Sequence, residues 1–202
     1  MRFVYSRPDR SVEATGTRQT FDHIDDAREA LADGSILVGA VGFDAQERCA
    51  LVEPTRFDRI DGPRVTSPGS LPGAVIASQN PPPDKHVERV RRALTVLGHP
   101  GSALRKVVLA RSITLVFDAP LDPITLVDTL IDANPMHNGF AVDLTAGGGS
   151  HFGRHLVGSS PELLVRRTGS DVICRPFAGT AARQADPDAD RAAGEALLAS
   201  AK

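Results

Sequence analysis

The chain has 202 residues, enough for one large domain or two small ones. Hydrophobic residues make up 41%, charged residues 24%, and the formal net charge is −2, a globular balance without the basic surplus that a nucleic-acid surface needs. No apolar run approaches the roughly 18 residues of a membrane helix, and Met1–Arg10 has no apolar stretch of the signal-peptide kind, so no membrane partner and a cytoplasmic location are expected. Aromatics are scarce at 4%, with no Trp and one Tyr, so Val, Leu, Ile and Ala must build the core. Cys49 and Cys174 lie far apart in no metal-like spacing and read as two reduced thiols.

Residues 1–34 are polar and mixed, with a short helix predicted over Asp25–Leu31 and a stop near Gly34. Ser35–Phe43 is a continuous apolar run of strand length, the pattern of a strand buried on both faces. Gly39 and Gly42 inside it point to a bulge or a close backbone approach. A second short strand is predicted over Cys49–Val52. Residues 62–84, with Pro81-Pro82-Pro83, are rich in Pro, Gly and Ser and read as a linker or surface loop. This loop divides the chain into an N-terminal subdomain, 1–83, and a second region, 84–202.

Asp84 can cap a helix in which Val87, Val90, Leu94 and Leu97 recur at helical spacing, and Gly98 ends it. Lys106–Val116 is long and β-branched, which predicts a strand. Pro123–Asp132 reads as an amphipathic helix, broken by Asn134-Pro135. A strand over Gly139–Leu144 is followed by the Gly147-Gly148-Gly149 turn and the stretch around Leu156-Val157-Gly158. Strands near Leu163–Arg167 and Val172–Pro176 are joined by a hairpin turn at Thr168-Gly169-Ser170. Asp190–Lys202 reads as helix. Strands in groups, joined by short turns and separated by helices, predict an α+β fold with mostly antiparallel sheet.

Three places could carry chemistry. Lys106 opens its predicted strand on the face of Val108 and Ala110. If that face lines a cleft, burial disfavours the ammonium form and leaves an amine able to act as a base. By itself the spacing fits a strand-end lysine with its amine in water better. Glu162 lies in Gly158-Ser-Ser-Pro-Glu-Leu-Leu164, with Pro161 fixing the backbone before it. A carboxyl held against apolar walls keeps its proton and can donate it, although a solvated turn carboxylate is the simpler reading of the segment alone. Ala178-Gly179-Thr180 could let a ligand approach backbone N–H groups, or could be an ordinary turn. The six histidines form no metal spacing, since Gly153 between His151 and His155 argues against a helix there.

Taken jointly, Lys106-Val-Val-Leu-Ala-Arg111, Gly158–Leu164, Ala178–Thr180 and Ala196-Leu-Leu-Ala-Ser200 resemble, in order and spacing, the chorismate-utilising enzymes. The stretches Val38–Asp44, Pro176–Gln184 and Asp190–Gly194 are most similar to isochorismate synthases of the siderophore and dihydroxybenzoate type, and the resemblance runs from about Ile36 to the last residue. It implies large antiparallel sheets flanked by helices, the fold shared with anthranilate synthase component I, with the active site in a deep cleft. It also implies the reaction: the lysine at position 106 takes a proton from a water that attacks C2 of chorismate, and the glutamate at 162 protonates the departing C4 hydroxyl. Backbone around Gly179 and Thr180, next to Ala178, would help hold the substrate, and Mg2+ would bind its ring carboxylate.

The resemblance also chooses within the family. Ammonia-adding members lack the lysine, and aminodeoxychorismate synthases commonly carry a lysine where this chain has Ala178. Salicylate synthases keep the base lysine and then eliminate pyruvate, so they remain the alternative. Siderophore, menaquinone and salicylate routes all start from isochorismate. Family members are considerably longer than this chain, and their magnesium ligands lie at positions beyond Lys202. The expectation is therefore an incomplete fold with no metal ligand of its own, inactive alone. It would be a truncated portion of an isochorismate synthase, or else a relic or one half of a split enzyme that needs a C-terminal partner.

Overall fold

The computed structural model describes residues 1–44, 46–160, 162, 165–174 and 180–199. Strands β1 (Arg2–Ser6) and β2 (Arg10–Thr15) open the chain as an antiparallel hairpin, and β3 (Gln19–Phe21) follows. This corrects the expectation of a first segment without strands. The side chains that β1 and β2 bury include Ser6, Ser11 and Ala14, too small and too polar to write an apolar alternation into the sequence.

The predicted early helix is present as α1 (Ile24–Ala32). The apolar run that follows contributes only β4 (Val38–Ala40), and Ile36, Val41 and Phe43 are exposed, so the strand buried on both faces does not form. β4 is instead an edge of a three-stranded sheet ordered β3-β5-β4, where β5 spans Ala50–Glu53. The close approach expected at Gly39 is real: a Cβ there would sit 1.9 Å from the carbonyl oxygen of Ala50, and the backbone has φ +148°. β6 (Arg56–Asp61), rich in charge and largely exposed, was not legible as a strand.

The Pro-rich stretch also contains more structure than a linker. β7 (Ala74–Asn80) rises from it and pairs antiparallel with β8 (Ser112–Phe117). Between them lies α2 (Pro83–Leu97). Pro82 holds the N-cap position and Pro83 the first turn, where a missing N–H costs nothing. Asp84 sits within that first turn rather than capping it. The strand predicted from Lys106 starts only at Ser112, and residues 106–111 pair with no strand among the described residues.

α3 (Pro123–Ala133) is set by its ends. Asp122 accepts from the backbone N–H groups of Ile124 and Thr125, Pro123 follows at the first helical position, and Asn134 closes it. β9 (Gly139–Asp143) and β10 (His155–Gly158) flank two short 3-10 turns, Thr145–Gly147 and Gly149–His151. A five-stranded antiparallel sheet results, ordered β10-β9-β1-β2-β6. It takes three strands from before the Pro-rich stretch and two from after it, so residues 1–83 and 84–202 share one sheet.

α3 packs on this sheet through Val127 and Ile131, which meet Val4 and Ala141, with Ile124 and Val157 at the margin. The opposite face buries Ala14 and Val142. A hairpin of β11 (Arg166–Thr168) and β12 (Asp171–Ile173) turns through Gly169-Ser170, as expected, while Leu163, Leu164, Arg175 and Pro176 of the predicted strands lie outside the described residues. α4 (Pro187–Leu198) begins earlier than Asp190, because Asp186 caps it and Pro187 starts it. Every strand pairing is antiparallel among the described residues, which with the four helices makes the fold α+β.

Candidate active site

The segment that carries Glu162 is built outward from β10. Gly158 lies opposite Phe140 in the β9–β10 ladder, and a Cβ on it would come 2.6 Å from the Phe140 ring. The glycine is therefore needed for the ring to lie over the strand end. Beyond it the chain is tied to the turn between α3 and β9. The Asn134 side-chain amide donates to Ser159 Oγ at 2.7 Å, Ser159 Oγ donates to the Asn138 carbonyl at 2.8 Å, and the Asn138 amide donates to the Ser160 carbonyl at 3.0 Å.

Asn134 is itself fixed, since its Oδ1 accepts from the Met136 N–H at 2.8 Å, and His137, the next residue after Met136, takes φ +47°. The Glu162 N–H then donates to Ser160 Oγ at 3.3 Å. Glu162 is exposed at the end of this tethered segment. Sequence reasoning took Asn134 only as a helix breaker and passed over Asn138. The signal available was two asparagines bracketing a Pro-Met-His turn, a composition suited to side chains that bond neighbouring backbone.

Lys106 is exposed and stands in the stretch leading into β8, where Leu104, Val107 and Val108 are exposed as well. The apolar enclosure expected around the lysine is not supplied by the described residues. Thr180 is exposed, ahead of α4, and Ala178 and Gly179 lie outside the described residues. Nearby, Gln184 N–H donates to the Asp190 carboxylate at 3.0 Å, and Arg183 pairs with the same carboxylate. The Gln184 N–H bond is the main influence holding Asp190 below the ordinary carboxylate value; burial opposes it, and the Arg183 hydrogen bond and charge lower it further.

A cavity of about 620 Å³ lies elsewhere, between the β4–β5 pair and the 3-10 turns, with Arg48, Cys49, Gly148 and His151 on its wall and none of Lys106, Glu162 or Thr180. Two of its polar groups, Arg48 and Cys49, are already committed. Arg48 donates to the Asp22 carboxylate at 2.5 Å and to the Gly147 carbonyl at 3.3 Å. Burial pushes the Cys49 thiol up, and its Sγ donates to the Phe21 carbonyl at 3.5 Å, the setting of an inert core thiol. Neither Cys49 nor Cys174 forms a disulfide.

Asp22, His23 and Asp26 bring potential ligand atoms within 4.8 Å of one another. They do not fit a magnesium ion. Mg2+ asks for oxygen ligands in octahedral array, whereas Asp22 spends one oxygen on His23 at 2.8 Å and the other on Arg48.

The family model described as "Chorismate binding enzyme" matches residues 37–202. The chain belongs to the chorismate binding enzyme family. Among its relatives, the MenF protein of Mycobacterium tuberculosis strain H37Rv is 41% identical over 202 residues, 99% of this chain and 54% of its own length. Isochorismate synthase EntC of Escherichia coli K12 is 32% identical over all of this chain and 56% of its own. The crystal structure of the Bacillus anthracis DhbC protein, 26% identical, superposes with a TM-score of 0.71 over 98% of this chain and 55% of that one. The α+β fold is thus that of the chorismate binding enzymes, and the chain spans about half the length of the curated relatives it matches. Among the described residues no helix is long and apolar enough to cross a membrane.

Proposed function

We propose that this chain is the part of an isochorismate synthase that carries the proton-transfer residues, and that chorismate is its substrate. The observation that carries this reading is the family match over residues 37–202, joined to the presence of Lys106 and Glu162 in the two segments that resemble the family's catalytic ones. The reaction needs a base and an acid. Lys106, as the free amine, takes a proton from water while the water oxygen bonds to C2. The ring double bonds shift, the C4–O bond breaks, and Glu162 gives its proton to the departing hydroxyl, which leaves as water. One water enters and one leaves, so isochorismate is an isomer of chorismate.

Thr180, with Ala178 and Gly179, is assigned to substrate binding, where backbone N–H groups suit a carboxylate. Magnesium is assigned to the ring carboxylate, and its ligands to the portion of the relatives that this chain does not cover, because the described residues offer no fitting set. No step is derived through it.

The exposure of Lys106 and Glu162 supports the further reading that the chain alone is inactive, since the described residues give neither group the dry surroundings that favour such proton transfer. The test joins this chain to the part of M. tuberculosis MenF that it does not cover and follows chorismate with Mg2+ present. Isochorismate is the expected product, with none from the 202-residue chain alone. Release of pyruvate would assign a salicylate-forming lyase instead, and turnover by the chain alone would overturn the inactivity.

A further inference from the structure

The β1–β2 turn and the β11–β12 hairpin bring arginines to one small pocket. Arg7 and Arg10 come from the turn, where the Arg7 N–H donates to the Arg10 carbonyl at 2.9 Å. Arg166 and Arg167 come from β11. Together with Tyr5 and Asp9 they line most of a pocket of about 170 Å³. The turn is held in place, since the Gly62 N–H, just beyond β6, donates to the Asp9 carbonyl at 3.1 Å. The chain as a whole has 23 basic and 25 acidic residues, yet this wall sets four guanidiniums against one carboxylate. None of Lys106, Glu162 and Thr180 lines it.

These charges are not neutralised among the described residues. Arg7, Arg10 and Arg166 form no ion pair with a described carboxylate, although Arg10 stands opposite Asp61 in the β2–β6 ladder. Arg7 is half-buried. Its Nη1 donates to the Tyr5 hydroxyl at 3.3 Å, while its buried Nε finds no acceptor in the fold. Arg167 donates through Nε to the Gly169 carbonyl at 2.8 Å. A buried N–H without an acceptor costs free energy, and like charges gathered on one wall repel. Arginines scattered over a surface carry neither cost. An anion seated among these four removes both.

The wall also selects the anion. Guanidinium forks match carboxylate and phosphate oxygens two at a time. A carboxylate has two oxygens and one charge, enough for one fork. A phosphate group offers three or more acceptor oxygens and nearly two charges at neutral pH, which suits forks arriving from two elements. The Tyr5 hydroxyl accepts from Arg7 and keeps its own proton to donate. The pocket is smaller than the roughly 300 Å³ at which sites for whole drug-sized ligands begin, so it takes one compact group. We propose that the pocket between the β1–β2 turn and β11 is a phosphate-binding site, filled by inorganic phosphate or by the phosphate of a phosphorylated metabolite. Arg7 and Arg166 are its principal forks, one from each element. The site is independent of the reaction assigned above.

The experiment follows amide NMR shifts as inorganic phosphate or ribose 5-phosphate is added at fixed ionic strength, with sodium chloride as the control and no measurement of turnover. It is run on the 202-residue chain and on the same chain joined to the uncovered part of M. tuberculosis MenF. Saturable shifts at 7–10 and 165–167 are expected in both proteins. Arg7→Gln and Arg166→Ala should each weaken binding at least about tenfold, the worth of a charge-assisted hydrogen bond. Arg166 lies on an exposed strand, so its variant decides the matter should Arg7→Gln fail to fold. Arg28→Ala, on α1 and outside the pocket, should bind as the native chain does. Tighter binding of ribose 5-phosphate assigns a phosphate monoester, and equal or weaker binding assigns free phosphate. Shifts that chloride alone reproduces, an affinity unchanged in Arg166→Ala, or a site present in the separate chain and lost in the joined protein would each overturn the proposal.

Discussion

The Asn134 side-chain amide donates to Ser159 Oγ across 25 positions of sequence, at 2.7 Å, and so fixes the segment that ends at Glu162 to the C-terminus of α3. Ser159 passes the bond on to the Asn138 carbonyl. Asn134→Ala should cost about 1 kcal/mol in urea unfolding, the net worth of one such hydrogen bond. The larger effect should be local, as faster amide exchange at Ser160 and Glu162 while α3 stays protected. Unchanged exchange there would show that the tether does not hold the segment.

Arg64 reaches Asp128 with Nε at 2.7 Å and pairs as well with Glu13, while Ser67 N–H donates to Asp128 at 3.2 Å. Asp128 is almost wholly buried on α3, so this ion group pins the stretch after β6 to the helix. Asp128→Ala leaves a mostly buried guanidinium short of its main partner and should cost about 3 kcal/mol. The pair Arg64→Met, Asp128→Leu should recover most of that loss, since a packed apolar pair replaces buried charge well. Equal losses in the single and the double variant would contradict this account.

Gly158→Ala places a methyl carbon against the Phe140 ring, and should cost about 1–3 kcal/mol through overpacking. Adding Phe140→Ala should show coupling, with the double variant less destabilised than the sum of the singles. Urea midpoints of the three variants decide it.

Asp122 caps α3. Burial alone would raise its carboxyl, but the bonds from the Thr125 N–H and hydroxyl and the Ile124 N–H outweigh it and, with Arg2 nearby, hold it below the ordinary value. A depressed carboxylate stabilises the fold above its unfolded value of about 3.9 and loses that contribution as pH falls through the folded value. The stability gap between the native chain and Asp122→Ala should therefore be about 1 kcal/mol near pH 6 and shrink below about pH 4. A gap constant down to pH 3 would remove the charge from the capping role.

What the sequence disclosed followed from how each element earns its stability. α3 was legible because its cap, its Pro and its apolar stripe agree, and β9 because its buried residues are apolar. β1 and β2 were hidden because they bury serine and alanine, and β6 because an edge strand can afford charge. The strand predicted from Lys106 has the right residues, but a ladder needs a neighbour, and residues 106–111 have none among the described residues. The candidate site was proposed only from a joint pattern of segments. Lys106 and Glu162 were read from it, whereas Asn134, Asn138 and Ser159 were not, because their hydrogen bonds depend on the return of β10 beside β9.

The central claim is that Lys106 and Glu162 carry the two proton transfers of isochorismate formation. The most direct measurement is chorismate turnover by the joined protein bearing Lys106→Ala or Glu162→Gln, with folding checked by amide protection of β1 and β9. Each variant should lose at least about a hundredfold in kcat, the usual worth of a positioned general base or acid. Near-normal turnover in either variant would contradict the role given to that residue.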